Sequence, residues 1–325
     1  MDSGTHLVMG IALGGLALAD PVVADSSMTT AAVITATIIG SQAPDIDTVL
    51  KLRNNAVYIR NHRGITHSIP AVILWPILIT GVLSLLFQGA NILHLWLWTF
   101  LAVFLHVFVD IFNAYGTQAF RPISKKWIAL GVINTFDPII FGLHVIALML
   151  WAFGSDPVWT ITSLYSIIVI YYLIRFILQQ AVKHAVKNTI PDAEKIILSP
   201  TMRFFQWRVA VNSSSTHYVG RAYGRSITIY DKFPIEPLPD TPLFHAALED
   251  SNLAAFVSFS PLYRWEVSEL ENNYHEVRLI DLRYRSENHY PFVAVALLNN
   301  NYDVVQSYTG WIFSEDKLRK KLIVD

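Results

Sequence analysis

The sequence predicts a mainly α protein, a polytopic transmembrane helical bundle followed by a cytoplasmic, β-rich α+β domain. Three observations predict it. Of 325 residues, 53% are hydrophobic and 15% charged, too apolar a balance for an ordinary soluble domain. The apolar character is concentrated in residues 1–182, as near-continuous segments with short polar breaks, and from Lys183 onward the chain is mixed. The second half alternates in RVAVN, SITIY and VRLIDLRYR and is interrupted by the proline-rich FPIEPLPDTP, the pattern of short strands between turns. The domains are therefore 1–182, membrane-embedded, and 183–325, soluble.

Six apolar segments follow in order, at about 5–19, 29–43, 69–87, 92–112, 138–154 and 158–181. The first two have about 15 residues against the ~20 of a full span, so they thin the bilayer or pack inside the bundle. The breaks at 44–68 and 113–137, with the stretch after 181, carry Lys51, Arg53, Arg60, Arg63, Arg121, Lys125, Lys126, Lys183, Lys187 and Lys195. The opposite breaks carry only Asp20, Asp25 and Asp156. By the positive-inside rule the first set is cytoplasmic, and with it both termini and the C-terminal domain of a multi-pass plasma-membrane protein. Residues 7–19 end in Ala-Leu-Ala, as a signal peptide would. No Lys or Arg precedes them, so the segment is expected to be retained.

Net charge is −1 and the C-terminal half has no charge runs, so direct nucleic-acid binding is not expected. With no cysteine, any metal must be held by His, Asp or Glu.

The polar residues of the first half gather at one side. His6 opens the first segment; Asp45 and Asp47, in APDID, follow the second; His62 and His67, in NHRGITHS, precede the third. His106 and Asp110 occupy the last two turns of the fourth segment, and Asp137, in FDPI, opens the fifth. A carboxylate in a membrane helix costs roughly 2.5–3.5 kcal/mol on insertion scales, a cost that a bound cation offsets. His106 and Asp110, at i and i+4, project from one helix face. Imidazoles with carboxylates suit Zn²⁺ first, with Mn²⁺ or Fe²⁺ as alternatives, as one ion or as a pair about 3.5–4 Å apart. Gly64 is expected to provide the tight turn between His62 and His67. Asp137 before Pro138 is equally a helix cap. Outside this set, His94 reads as interfacial, His144 as a packed polar residue and Arg175 as a snorkelling one.

THLVMGIALG, APDID, HRGITHS, LHVFVDIFNAYGTQAFRPIS and FDPI resemble, in that order, the YdjM-like family of membrane-bound metal-dependent hydrolases. The resemblance covers about residues 1–150. Bacillus-type members share this length and a soluble C-terminal half, to which the resemblance assigns no role. The order His, Asp, His, then HxxxD is also similar to zinc-dependent phospholipase C and single-strand nucleases. That similarity implies His6, Asp47 (or Asp45), His62, His106 and Asp110 as metal ligands. Two features depart from the pattern. Those enzymes begin on a ligating Trp where this chain has Met1, and their later HxxxE is here His144 followed by Leu148.

The expected activity is hydrolysis of a phosphoester on a lipid or lipid-linked substrate, phosphodiesterase- or phospholipase-like, by metal-activated water at the cytoplasmic face. Asp45 is the expected general base, with His67 as second candidate or loop-orienting residue. Arg63, with Arg121 or Arg60, would bind the phosphate, unless these arginines only set topology. The alternative is a membrane-anchored regulator with a structural metal site, whose cytoplasmic domain binds a protein partner.

Overall fold

Helix starts in the first half are set by side-chain caps. Asp2, Ser26, Ser68, Asn91 and Asp137 each accept from a backbone N–H of the following turn, and proline stands at the first turn after Ser68 and Asp137. These caps open α1 (Ser3–Leu16), α3 (Ser27–Gly40), α5 (Ile69–Leu86), α6 (Ile92–Asp110) and α7 (Pro138–Ala152). A short α2 (Pro21–Ala24), capped by Asp20, lies between α1 and α3, and α8 runs over Pro157–Thr189. The computed structural model describes residues 1–270 and 274–322.

Three of these helices, Ile69–Leu86, Ile92–Asp110 and Pro157–Thr189, are long and apolar enough to cross a membrane. Ser3–Ala19, Ser27–Gly40 and Pro138–Ala152 are shorter apolar helices. The sixth segment extends past its sequence-based end near 181, because the polar, good helix formers of 178–188 continue the 33-residue α8.

The chain forms two compact units. The first comprises 1–47, 63–180 and 200–204, the second 48–62, 181–199 and 205–325.

In the first unit α3 packs on α1, α5 and α6. Close approach of α1 to α3 depends on Gly10, where an added Cβ would stand 2.3 Å from Ser41 Oγ and 2.8 Å from the Thr37 carbonyl oxygen. Gly14, one turn on, meets the backbone of Ile34 in the same way, so GIALG is a small-xxx-small contact. One core gathers Met9, Leu13, Ala102, Ile133, Ile140 and Ile161; another gathers Val33, Ala36, Ile79, Leu95 and Val103, so α6 contributes to both. The outward face of α5 (Ile73, Leu74, Ile77, Leu78, Val82, Leu85) is exposed and apolar, as a lipid-facing surface requires.

Arg175 does not snorkel. It is 1% exposed, and its guanidinium donates to the carbonyls of Val132 (3.1 Å) and Phe204, while Gln179 donates to those of Leu130 and Gly131. The 111–137 segment forms no regular helix or strand, and these two side chains of α8 supply donors to its carbonyls beside its own backbone bonds.

In the second unit β1 (Lys195–Pro200), β2 (Gln206–Asn212), β3 (Thr216–Tyr223) and β4 (Ser226–Pro234) form one sheet in that order. After α9 (Pro242–Glu249) and α10 (Ser251–Phe259), β5 (Tyr263–Glu269), β6 (His275–Asp281), β7 (Phe292–Leu298) and β8 (Val304–Trp311) form an antiparallel meander, followed by α11 (Glu315–Lys321). Every residue of β7, FVAVALL, is buried, which fits a strand covered on both faces. α4 (Asn55–Asn61) packs on α10 and β8, and Asn55 donates to the Thr309 carbonyl at 3.1 Å.

Candidate metal centre

His106 and Asp110 share one face of α6, and both are fully buried. His106 Nδ1 is 2.6 Å from the Ser41 carbonyl oxygen. A carbonyl only accepts, so Nδ1 carries the proton and the neutral ring presents an Nε2 lone pair.

His67 reaches the same place from the HRGITHS loop. Asp47 Oδ2 organises that loop, accepting from Arg63 N and from Thr66 Oγ1, each at 2.8 Å. The Thr66 proton is thereby engaged, so its oxygen is left to accept from His67 Nδ1 at 3.1 Å. His67 Nε2 is then also a lone pair. The two Nε2 atoms lie 3.3 Å apart.

Two carboxylate oxygens complete the group. Asp45 Oδ1 is 3.6 Å from each of the two Nε2 atoms, and Asp110 Oδ2 is 3.5 Å from that of His67 and 3.8 Å from that of His106. Neither oxygen accepts a hydrogen bond, though both are buried. Four donors at ~2.0–2.1 Å around a tetrahedral zinc ion are separated by about 3.3–3.4 Å, close to these spacings. The donor set therefore fits a divalent cation of that size. Asp45, His67, His106 and Asp110 are the residues that could hold it.

The other residues singled out in the sequence are placed as follows. His6 stacks on His106, with centroids 3.7 Å apart, and its Nε2 lies 3.3 Å from Asp110 Oδ1 without hydrogen-bond geometry. Asp47 supports the loop rather than facing the two Nε2 atoms. His62 ends α4, stacks on Tyr58 and belongs to the second compact unit. Asp137 caps α7 and accepts from Tyr171 at 2.8 Å. Arg121 is half-buried, its carbonyl accepting from Ile69 N.

Arg63 is 4% exposed. Its guanidinium lies 3.3 Å from Asp110 Oδ2 and donates to the Met1 carbonyl at 2.7 Å. The left-handed residue of the loop is Arg63, at φ 57°, and not Gly64. Asp47 fixes its N–H, and Gln118 N and Thr117 Oγ1 hold its carbonyl, so the surroundings over-determine the strained conformation.

Sequence reasoning missed three supports. Ser41 acts through its carbonyl, which no side-chain motif reports. Thr66 is the threonine of HRGITHS, and its hydroxyl relays Asp47 to His67. Asn113 donates to Asp110 Oδ1 at 3.3 Å while accepting from Tyr115 N and Gly116 N, the turn encoded in NAYG. The α-amine of Met1 also lies against Asp110 Oδ1, and burial together with Arg63 depresses its pKa well below the ordinary value.

Burial would raise the Asp45 carboxyl, but interaction with His106, the charge of Arg63 and interaction with His67 outweigh it and hold it well below the usual carboxylate range. An anionic oxygen at this position favours a cation.

At the other end of α6 His94 is not a lone interfacial residue. Its Nδ1 is 2.5 Å from Asp20 Oδ2, which also accepts from Trp98 Nε1 at 3.2 Å.

An apolar helical half with a buried His/Asp group defines a membrane protein with a candidate metal centre. The chain belongs to the family described as the YdjM inner membrane protein, which matches residues 1–182. Residues 191–233 match the YfhP middle domain, and residues 242–322 match the YfhP C-terminal alpha/beta plait domain. A relative from Bacillus subtilis (strain 168), described as "Uncharacterized protein YfhP", is 59% identical over 323 residues, covering 99% of this chain and 98% of its own. No solved structure matches the chain.

Proposed function

We propose that the first unit is a membrane-embedded metal-dependent hydrolase of phosphoesters, acting on a lipid or lipid-linked substrate. The observation that supports it is the spacing of Asp45 Oδ1, His67 Nε2, His106 Nε2 and Asp110 Oδ2, with both imidazoles held as Nε2 lone-pair donors. An ion held there would supply Lewis acidity, lowering the pKa of a water toward neutrality and polarising an ester oxygen.

The remaining work falls to the chain. Asp110 faces two ways, with Oδ2 toward the four-donor group and Oδ1 toward His6, Asn113 and the Met1 α-amine. Asp45 enters this reading as a donor, which leaves His6, with neither ring nitrogen hydrogen-bonded, as the nearer candidate to take a proton. Arg63 orients Asp110, and Arg121 from the 113–137 segment is the available phosphate contact.

The reading is multi-pass, with the site at the cytoplasmic headgroup level. It rests on the Lys/Arg-rich breaks and on donors at the α6 end that adjoins them. Metal content of the purified protein, with turnover of a chromogenic phosphodiester and of phospholipid in mixed micelles, tests it. Stoichiometric metal with metal-dependent turnover is expected. Metal without turnover on any phosphoester would instead support the membrane-anchored regulator with a structural ion.

A further inference from the structure

The β2–β3 pair of the second unit carries an arrangement that protein-only physics disfavours. Arg208 and Arg221 are direct cross-strand partners, so their side chains leave the same face side by side. Like charges in that position repel and destabilise a sheet. Among the described residues neither has a carboxylate partner, and Arg208 Nε is buried with no hydrogen bond.

Two more guanidiniums stand over the same face. Arg285 lies 4.6 Å from the Tyr230 ring centroid and Arg221 lies 5.9 Å from it, so one exposed ring carries both cations. Arg264 lies over Phe233 at 4.7 Å. Among the described residues, only Asp231, paired with Arg285 at 2.5 Å, and Glu266, paired with Arg264 at 2.5 Å, answer these four charges. A β-bulge between Val219 and Gly220 makes the grouping possible. It brings Tyr230 and Asp231 together beside the Arg208–Arg221 row, and Gly220 permits it because a Cβ there would stand 2.3 Å from the Thr228 carbonyl oxygen.

We propose that Arg208, Arg221 and Arg285 form an anion site for a phosphomonoester dianion, presented by a free phosphate compound or by a lipid headgroup. The unanswered charge of the face equals that of the dianion. Cation–π contact with Tyr230 holds Arg221 and Arg285 by their planes, and leaves the N–H groups of Arg221, and those of Arg285 other than the Nε–H given to Asp231, to donate to phosphate oxygens. A bound dianion turns the repulsive pair into a bridged one. This proposal is carried by the second unit alone and stands apart from the reading of the metal centre.

The test uses the full chain in detergent micelles, at constant ionic strength set with sodium chloride. Thermal midpoint and isothermal titration are measured with inorganic phosphate, and binding to nanodiscs of phosphatidylcholine is compared with and without phosphatidic acid. Wild type is expected to gain thermal stability with phosphate or, if the source is a headgroup, to respond only to phosphatidic acid. Arg221→Gln is expected to raise the midpoint in the absence of anion and to weaken anion binding at least tenfold. Arg221→Lys keeps the charge and the fold but loses the fork, and is expected to bind more weakly with no gain in stability. Lys317→Gln on α11 is the control. Equal anion responses in wild type and Arg221→Gln, absence of any response in wild type, or a lower midpoint of anion-free Arg221→Gln would each overturn the proposal.

Discussion

His67 Nε2 and His106 Nε2 face one another at 3.3 Å, although the residues are 39 positions apart and come from a loop and a helix end. Each ring is fixed from behind, His106 by the Ser41 carbonyl and His67 by Thr66, so two lone pairs converge with no proton between them. Unless a cation lies between them, that convergence is unfavourable. His106→Ala and Asp110→Asn should therefore each deplete bound metal and abolish hydrolysis. The double variant should be scarcely worse than either single one, because ligands of one centre act as a unit. His94→Ala, at the far end of α6, should keep full metal. Elemental analysis per folded molecule after size-exclusion chromatography is the measurement, and unchanged stoichiometry in both single variants would sink the metal reading.

Support behind the donors is testable separately. Thr66→Val removes the oxygen that accepts from His67 Nδ1 but leaves all four donors in place. Loss of such an outer hydrogen bond typically costs about 10–100-fold in metal affinity. Competition with a chelator of known affinity reads this directly. Wild-type affinity in Thr66→Val would mean that the relay through Asp47 and Thr66 does not orient His67.

Helix packing reaches the same centre. Gly10→Ala places a Cβ 2.3 Å from Ser41 Oγ, and Ser41 is the residue whose carbonyl holds His106. Overpacking of this kind costs about 1–3 kcal/mol. Thermal unfolding in detergent should show the loss, accompanied by weaker metal retention. Gly81→Ala, with open space around the added Cβ, should be neutral on both counts.

The second unit should lose stability in acid through Asp231. Burial raises this carboxyl, but hydrogen bonds from Tyr290 and Arg285 and the charges of Arg285 and Arg264 lower it below its ordinary value. A folded-state pKa below the unfolded one gives a contribution that is fully present above the unfolded value, near 3.9, and is lost as pH falls through the folded value. The gap in thermal midpoint between wild type and Asp231→Asn should thus be largest near neutrality and close below about pH 4. A gap that widens in acid would contradict this sign.

Much of this was legible in the chain because two periodicities differ so sharply. The apolar runs and their caps marked the helices of the first half, and the i, i+4 spacing put His106 and Asp110 on one face. Alternation marked β2, β4 and β6, but buried β7 does not alternate, so its face assignments needed the sheet. What spacing could not resolve was the division of labour within APDID. Asp45 and Asp47 are two residues apart on a 3₁₀ turn, where neighbouring side chains diverge, and only the fold shows Asp45 facing the imidazoles and Asp47 facing the loop. Arg63 was hidden for a similar reason. A charged residue in a polar break reads as surface, and nothing local announces that its guanidinium will be buried against Asp110.

The placement of Asp110 at the last turn of α6 also governs when the centre can exist during biogenesis. Asp45 and His67 emerge from the ribosome early, yet two of the four donors belong to a helix that follows α5 in the chain. Until α6 has been inserted and docked on α3, the nascent protein offers half a site. On the proposed reading of the centre, metal would load late, after insertion, from the compartment that the α6 C-terminus faces. A chain truncated before Ile92 is expected to insert without acquiring metal, and pulse-chase capture of the metal should lag behind membrane integration.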